Sequence, residues 1–367
     1  MTDGDDKLGG EPLAEIRKRI DEIDRSIQEL VSERASCAAQ VAEVKQQQGE
    51  TGHFYRPERE AQVLRAVMDR NNGPLSDESV AGIFREIMAA CLALEKPLSI
   101  AFLGPEGTYT HAAACKHFGN LIEPHSVSSI EEVFRLVEAE GANFGVVPVE
   151  NSTEGVVNHT LDLLMNSNLS ISGEVELRIR HNLISKETDL ANIERVYAHQ
   201  QSIAQCRLWL DSHLPNAERI AVNSNAEAVL IARDHDNSGA IAGAMAAELY
   251  DIPILNPDIE DEPHNTTRFV VIGKYDAPAS GNDRTSLLVF AHNRPGSLYD
   301  LLKPLAKRNI SMSNIESRPS RSGVWEYVFF IDIDGHSDDA ELAEAISEIE
   351  ASSAMVKILG SYPKAVL

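Results

Sequence analysis

Arg34 stands where a hydrophobic residue is due. Apolar side chains fall at Ile16, Ile20, Ile23, Ile27 and Leu30 and resume at Cys37, Val41 and Val44, a 4,3,4,3 helical seam that position 34 interrupts. A guanidinium in such a seam is costly unless an anion or a hydrogen-bond acceptor meets it. One solution is an ion pair with a glutamate that sets helix register or oligomeric state; the other is a site for an anionic ligand. Lys45 lies eleven residues on, three helical turns, and projects from nearly the same face. Arg17 lies seventeen residues before Arg34, roughly 25 Å along the axis at 1.5 Å per residue, so it could join them only from a second, antiparallel chain. Two later helical patterns turn carboxylates inward: Glu60 shares a face with Val63, Leu64 and Val67, and Glu95 extends the row Phe84, Met88, Cys91. Two inward acids beside an inward Arg and Lys are better explained by a polar-ligand site than by packing.

Further along, an apolar strand at 98–103 leads into Gly104-Pro105-Glu106-Gly107-Thr108-Tyr109-Thr110-His111, and a second at 144–149 leads into Glu150-Asn151-Ser152-Thr153-Glu154-Gly155. Ligands collect at the carboxyl ends of strands in open α/β sheets, which makes these hydroxyl- and amide-rich loops candidate binding loops. Each taken alone could equally cap the helix that follows. His199-Gln200-Gln201-Ser202-Ile203-Ala204-Gln205-Cys206 and Asn265-Thr266-Thr267-Arg268-Phe269 are polar in the same way, and His199 by itself reads as an ordinary loop histidine. The GxGxxG spacing of a dinucleotide fingerprint is missing, and no Ser/His/Asp spacing suggests a nucleophile triad. Cys37, Cys91, Cys115 and Cys206 form no CxxC pair; they are expected to be free thiols in a reducing cytoplasm, with no disulfide frame and no metal or cofactor site.

These residues need elements to hold them. Residues 11–96 read as almost entirely helical, with Ser76 as the N-cap of the third helix and Lys96-Pro97 as its stop. From Leu98 short β-rich runs alternate with helical patterns, the α/β signature. A Pro/Gly/Ser linker follows at 276–283, and the remainder reads β-α-β-β-α-β: Ser286–Ala291, Ser297–Arg308, Ser311–Ser317, Glu326–Asp332, Asp338–Ala351 and Met355–Leu359. That order is ferredoxin-like. Three domains are expected, at 8–97, 98–276 and 284–367. Composition agrees with a folded, polyanionic protein: 367 residues, 43% hydrophobic, with 33 Lys+Arg against 57 Asp+Glu for a formal charge of −24. Such a chain repels nucleic-acid backbones, whereas a local cationic pocket is insulated from the global sign beyond about 8–10 Å of salt screening. The acidic start lacks the character of a signal peptide, and no stretch approaches the ~18 apolar residues of a membrane span. The long seam itself wants a partner helix, so a homodimer is expected, which could pair further into a tetramer.

Pro12-Leu13-x-x-Ile16-Arg17-x-x-Ile20-Asp21-x-Ile23-Asp24, Leu30-x-x-Glu33-Arg34, Val44-Lys45 and Arg59-Glu60 together resemble the all-helical chorismate mutases. That resemblance implies a cofactor-free Claisen rearrangement of chorismate to prephenate. Arg34 and a partner-chain Arg17 would hold the two carboxylates, Lys45 would donate to the ether oxygen and a carboxylate, Glu60 would hold the substrate hydroxyl and Arg59 would support the site. GPEGTYTHAA, PVENSTEG, HQQSIAQC and Thr-Arg-Phe, in that order over roughly 98–275, resemble the prephenate dehydratases, whose fold is two α/β lobes of the periplasmic-binding-protein kind around a cleft. There prephenate loses its ring hydroxyl and a carboxylate to give phenylpyruvate. By that resemblance Thr267 would assist departure of the hydroxyl, Arg268 would anchor a carboxylate, and Asn151, Ser152, Thr153 and Gln205 would line the cleft. The turn Asn293-Arg294-Pro295-Gly296-Ser297-Leu298-Tyr299 and Glu316-Ser317-Arg318-Pro319 would alone be a turn and an exposed strand end; in this company they resemble the ACT regulatory module. The resemblance implies that phenylalanine binds near Gly296, Ser297, Leu298, Glu316, Ser317, Arg318 and Pro319, between two subunits, and inhibits the dehydratase.

The order of the three is that of the bifunctional chorismate mutase/prephenate dehydratases (P-proteins). A binding-only rival, an amino-acid sensor or solute-binding protein, leaves the inward Arg34, Lys45, Glu60 and Glu95 unexplained. A fusion to prephenate dehydrogenase would need the missing Gly-rich loop. Two positions depart from the commoner pattern. Arg56 stands where some relatives carry an acid, and Glu95 occupies a position that is Gln in other members. A carboxylate cannot donate to an ether oxygen, so Glu95 must be protonated to act there. Chorismate turnover is therefore expected to rise toward acidic pH, with Glu95→Gln flattening the profile; a wild-type rate independent of pH from acid to neutral overturns this.

Overall fold

The computed structural model describes residues 10–47, 55–94, 97–292, 294–319 and 327–366. The helical domain is α1 (Gly10–Gln47), α2 (Pro57–Arg70) and α3 (Asp77–Ala93). Pro57 opens α2, where its missing N–H leaves no bond unmade, and Ser76 caps α3 by accepting from the Ser79 amide. α2 packs on α3 and buries Ala61, Leu64 and Val67. The 38-residue α1 is a different case. Ile16, Ile20, Ile23, Ile27, Leu30, Val41 and Val44 are each between 43% and 64% exposed, so its apolar seam is uncovered within one chain.

A first α/β lobe follows: β1 (Ser99–Leu103), α4 (Tyr109–Phe118), β2 (Glu123–Val127), α5 (Ile130–Glu138), β3 (Phe144–Asn151), β4 (Gly155–Val156), α6 (Asn158–Asn166) and β5 (Ser170–Arg178). The second lobe is β6 (Asn182–Ser185), β7 (Arg195–His199), α7 (Gln200–Gln205), α8 (Arg207–His213), β8 (Glu218–Val222), α9 (Asn225–Asp234), β9 (Ser238–Ala242), α10 (Ala244–Leu249) and β10 (Ile254–Asn256). β11 (Thr266–Gly273) then returns to the first lobe, which is thereby closed in the order β2-β1-β3-β11-β5, with β4 on β3. The second sheet runs β10-β6-β9-β7-β8. The C-terminal unit is β12 (Asp283–Phe290), α11 (Ser297–Lys307), β13 (Met312–Pro319), β14 (Tyr327–Asp334), α12 (Ala340–Ser352) and β15 (Met355–Pro363), an antiparallel sheet in the order β13-β14-β12-β15. Among the described residues no helix is long and apolar enough to cross a membrane.

The first-lobe sheet separates two cores. One face packs Phe102, Phe144, Val175 and Phe269 against α4, and Tyr55 of the helical domain enters the same cluster. The other face packs Val147, Val270 and Ile272 against α5, α6 and the C-terminal sheet residues Leu288, Phe330 and Tyr362. Successive residues of a strand face opposite ways, which decides where β11 sends its side chains. Thr267, paired with Asn151 on β3, faces the inter-lobe cleft, whereas Arg268, paired with Glu150, does not. The expectation that Arg268 anchors a substrate carboxylate in the cleft is corrected by this parity. Its Nε donates to Glu174 at 3.0 Å, one terminal nitrogen to Asp332 at 2.5 Å and the other to the Tyr362 hydroxyl at 2.9 Å. Arg284 meets the same Glu174 carboxylate, and Ser286 donates to Asp332.

Arg268 is thus the clamp between β11 and the C-terminal sheet. Its replacement by Ala leaves Asp332 and Glu174 short of a buried counter-charge. Unfolding in urea should show a loss of about 3–5 kcal/mol, and a variant within about 1 kcal/mol of wild type would refute the assignment.

Candidate active sites

Two cavities carry the polar residues. The smaller, about 340 Å³, lies in the helical domain and is lined by Arg34 of α1, by Arg59 and Glu60 of α2 with Arg56 just before it, and by Met88, Cys91 and Leu92 of α3. Arg34 is half-buried and one terminal nitrogen donates to the Cys91 thiol at 3.0 Å. The heptad break is therefore met by the third helix, and Cys91, which reads as a core thiol from its row, is a wall residue of this pocket. Glu60 is salt-bridged to Arg85 Nε at 3.3 Å. Arg17 is exposed on α1 and takes no part in the pocket of its own chain. The Lys45 side chain and Glu95 lie outside the described residues. Three arginines around one cavity make a site for an anion, in a chain of charge −24.

The larger cavity, about 780 Å³, is the cleft between the α/β lobes. Asn151, at the end of β3, organises one wall. Its Oδ1 accepts from the amides of Thr153 at 3.0 Å and Glu154 at 2.9 Å, which fixes the amide's orientation. Its Nδ2 then faces Asn265 Oδ1 and Thr267 Oγ1, each at 2.8 Å. Because Thr267 Oγ1 accepts this bond, its own hydroxyl proton is left to be donated into the cleft. Ser152 and Thr153 are exposed on the turn and do not line the cavity, contrary to expectation; Ser152 Oγ accepts from the Thr266 amide at 3.0 Å and pins the loop to β11. Gln205 does line it, from the second lobe. Its Oε1 lies 2.8 Å from His181 Nε2, and His181 Nδ1 lies 2.9 Å from the Tyr109 hydroxyl. Burial lowers the His181 pKa, so the ring bridges the two lobes as a neutral group. Tyr109 was visible within its polar segment; His181 had no motif to mark it.

In the C-terminal unit, Gly296 precedes α11 with φ +84, a conformation that favours glycine, and the Ser297 hydroxyl donates to Arg294 O at 2.8 Å. Leu298 is exposed. Glu316, Ser317, Arg318 and Pro319 lie on β13, the edge strand, with β14 between it and β12. The two motifs are thus separated within one chain. Arg318 is turned toward α6, where it meets Asp162 at 2.8 Å.

Burial raises Glu60 to about 7, against the opposing pull of Arg85. The folded state holds this proton more tightly than the unfolded chain, whose carboxyl titrates near 4.5. Stability from the protonated form is complete below that value and is lost as pH climbs to about 7. Glu60→Gln keeps the neutral form at every pH. Its free energy of unfolding should gain on wild type by up to about 3 kcal/mol between pH 4.5 and pH 7.5, whereas a constant offset would contradict the assignment.

A chorismate mutase type II model matches residues 16–96, a prephenate dehydratase model 100–277 and an ACT domain model 285–351. The bifunctional chorismate mutase/prephenate dehydratase of Pseudomonas aeruginosa is 54% identical over 97% of this chain and 98% of its own. That of Neisseria gonorrhoeae is 51% identical over 97% and 98%. The crystal structure of the prephenate dehydratase from Arthrobacter aurescens in complex with L-Phe superposes with a TM-score of 0.66 at 33% identity, covering 72% of this chain and 89% of that one. With such identity across almost its whole length, the chain belongs to the family of bifunctional chorismate mutase/prephenate dehydratases.

Proposed function

We propose that chorismate rearranges in the helical pocket and prephenate is dehydrated and decarboxylated in the inter-lobe cleft, under feedback by phenylalanine at the ACT module. The observation that carries the division of labour is the contrast between the cavities: three arginines around the smaller, a fixed Thr267 hydroxyl in the larger. In the first, Arg34 holds a carboxylate, Glu60 the hydroxyl, Arg59 supports them, and Lys45 and Glu95 address the ether oxygen. The uncovered seam of α1 is proposed to pair with a second copy of the chain, which would bring the partner's copy of the exposed Arg17 residue to this pocket. Charge develops on the ether oxygen as the bond breaks, and donors held in advance stabilise it without covalent catalysis.

In the cleft, the electron pair of the C–CO2 bond enters the ring and expels the ring hydroxyl. Thr267 donates a hydrogen bond to that leaving oxygen, held in place by Asn151. Aromatisation supplies much of the driving force, so positioning is the main demand. The Gly296–Leu298 turn and the Glu316–Pro319 strand, separated by β14 in one chain, are proposed to meet across two subunits and take phenylalanine there. The enzyme is proposed to work in the cytoplasm.

The test is to give purified protein chorismate alone and follow both products. Prephenate and then phenylpyruvate should form without added cofactor. Thr267→Ala should let prephenate accumulate, with phenylpyruvate formation down roughly 100-fold or more, as for loss of a transition-state donor. Undiminished phenylpyruvate from that variant would remove Thr267 from the mechanism.

A further inference from the structure

One helix reaches both cavities. α4 starts at the cleft, where Thr108 and Tyr109 are part of the wall, and ends at Phe118, which lines the helical pocket beside Arg34, Arg59 and Glu60. Its ten residues span about 15 Å. Among the described residues around that pocket, Phe118 is the one drawn from outside the helical domain.

Tyr55 makes the reciprocal crossing. It stands two residues before the start of α2, is 4% exposed, and belongs to the dehydratase core cluster. Its ring centroid lies 5.1 Å from that of Phe118 and 5.5 Å from that of Phe144, and its hydroxyl lies 3.0 Å from His117 Nε2. Burial, then the Arg85 cation, lower His117 to about 3, so the ring is neutral and can accept. Burial, then the Glu60 carboxylate, raise the Tyr55 pKa, so the phenol keeps its proton to donate.

The surrounding contacts hold α4 against α3 in one arrangement. Arg85, already paired with Glu60, donates to Lys116 O. Asn120 donates to the Glu86 carboxylate through its amide N–H at 3.3 Å and its side chain at 3.0 Å. Gly119 has φ +80, and a Cβ there would fall 2.6 Å from the Ala89 Cβ, so the helices approach as closely as a glycine permits.

We propose that the dehydratase domain completes the chorismate mutase pocket: Phe118 supplies its apolar wall, and the Tyr55–His117 hydrogen bond positions the first turn of α2 from which Arg59 and Glu60 act. Tyr55 and His117 are positioning residues; neither needs to touch substrate. The rearrangement depends on holding a near-attack geometry, so a small release of that turn lowers its rate while leaving the distant cleft intact. This rests on the helical pocket being the mutase site.

The experiment uses the full chain, with chorismate and separately supplied prephenate as substrates. Tyr55→Phe and His117→Ala should each lower kcat on chorismate about tenfold, and the double variant should be no worse than either, because both remove one interaction. Phe118→Leu, which retains apolar bulk, should raise KM for chorismate about threefold or more. All should turn over prephenate within about twofold of wild type. A purely structural role would lower both activities together, and that result overturns the proposal. Arg34→Ala separates the proposal from the reading beneath it. If this variant keeps full mutase activity, the pocket is not the mutase site; if it loses that activity while Tyr55→Phe and Phe118→Leu behave as wild type, the pocket stands and the role of the dehydratase domain falls.

Discussion

The alternation of side chains along β11 governs the arrangement of this enzyme. A strand can send consecutive residues only to opposite faces, so Thr267 and its neighbour Arg268 address different domains. Thr267 meets the Asn151 amide at the cleft, and Arg268 is enclosed by Glu174, Asp332 and Tyr362. The neighbouring strand repeats the division: Asn151 turns to the cleft, while Glu150 accepts from Asn314 of β13 at 3.2 Å. Cleft-lining residues and contacts to the C-terminal sheet are back to back on one pair of strands, separated by the thickness of a sheet. The residues that meet the ACT sheet and those that line the cleft thus alternate along one continuous backbone.

The overall charge is no guide to either cavity. At −24 the chain is unfavourable to a dianion at long range, yet Arg34, Arg56 and Arg59 converge on a small pocket in which the local field decides. The excess acid lies largely where water solvates it. Burial works in the other direction at Glu60, which is raised to about 7 and so carries less than a full negative charge near neutrality. The same burial keeps His117 and His181 uncharged, so that each serves as a directional hydrogen-bonding group between parts of the structure.

Much of this was legible from the residues, and the exceptions have a common cause. The C-terminal elements show strong periodicity, and the helix expected at Ser297–Arg308 is observed at Ser297–Lys307. Arg34 was marked by the seam it interrupts. The Thr-Arg-Phe triplet identified the right strand but assigned both polar residues to one cavity, although strand parity forbids it in a regular stretch. Ser152 and Thr153 were read as cleft-lining from a motif whose inward-facing member is Asn151. Tyr55 carried no signal at all, since its partners His117, Phe118 and Phe144 are more than sixty residues away. Local patterns report faces and periods; a side chain that crosses into another domain's core becomes visible only when the chain is folded.

The reach of Tyr55 has a consequence for the order in which the chain is made. Synthesis proceeds from the N-terminus at about 5–20 residues per second, and domains generally fold as they emerge. Here α1, α2 and α3 can form early, but the aromatic setting of Tyr55 is missing until Phe144 has been added, and the sheet that holds Phe144 waits for β11 at 266–273. The setting of the helical domain is therefore completed only by a strand made about 170 residues after α3. The mutase fold begins first and is finished together with the dehydratase, which makes the fused chain a single unit of maturation.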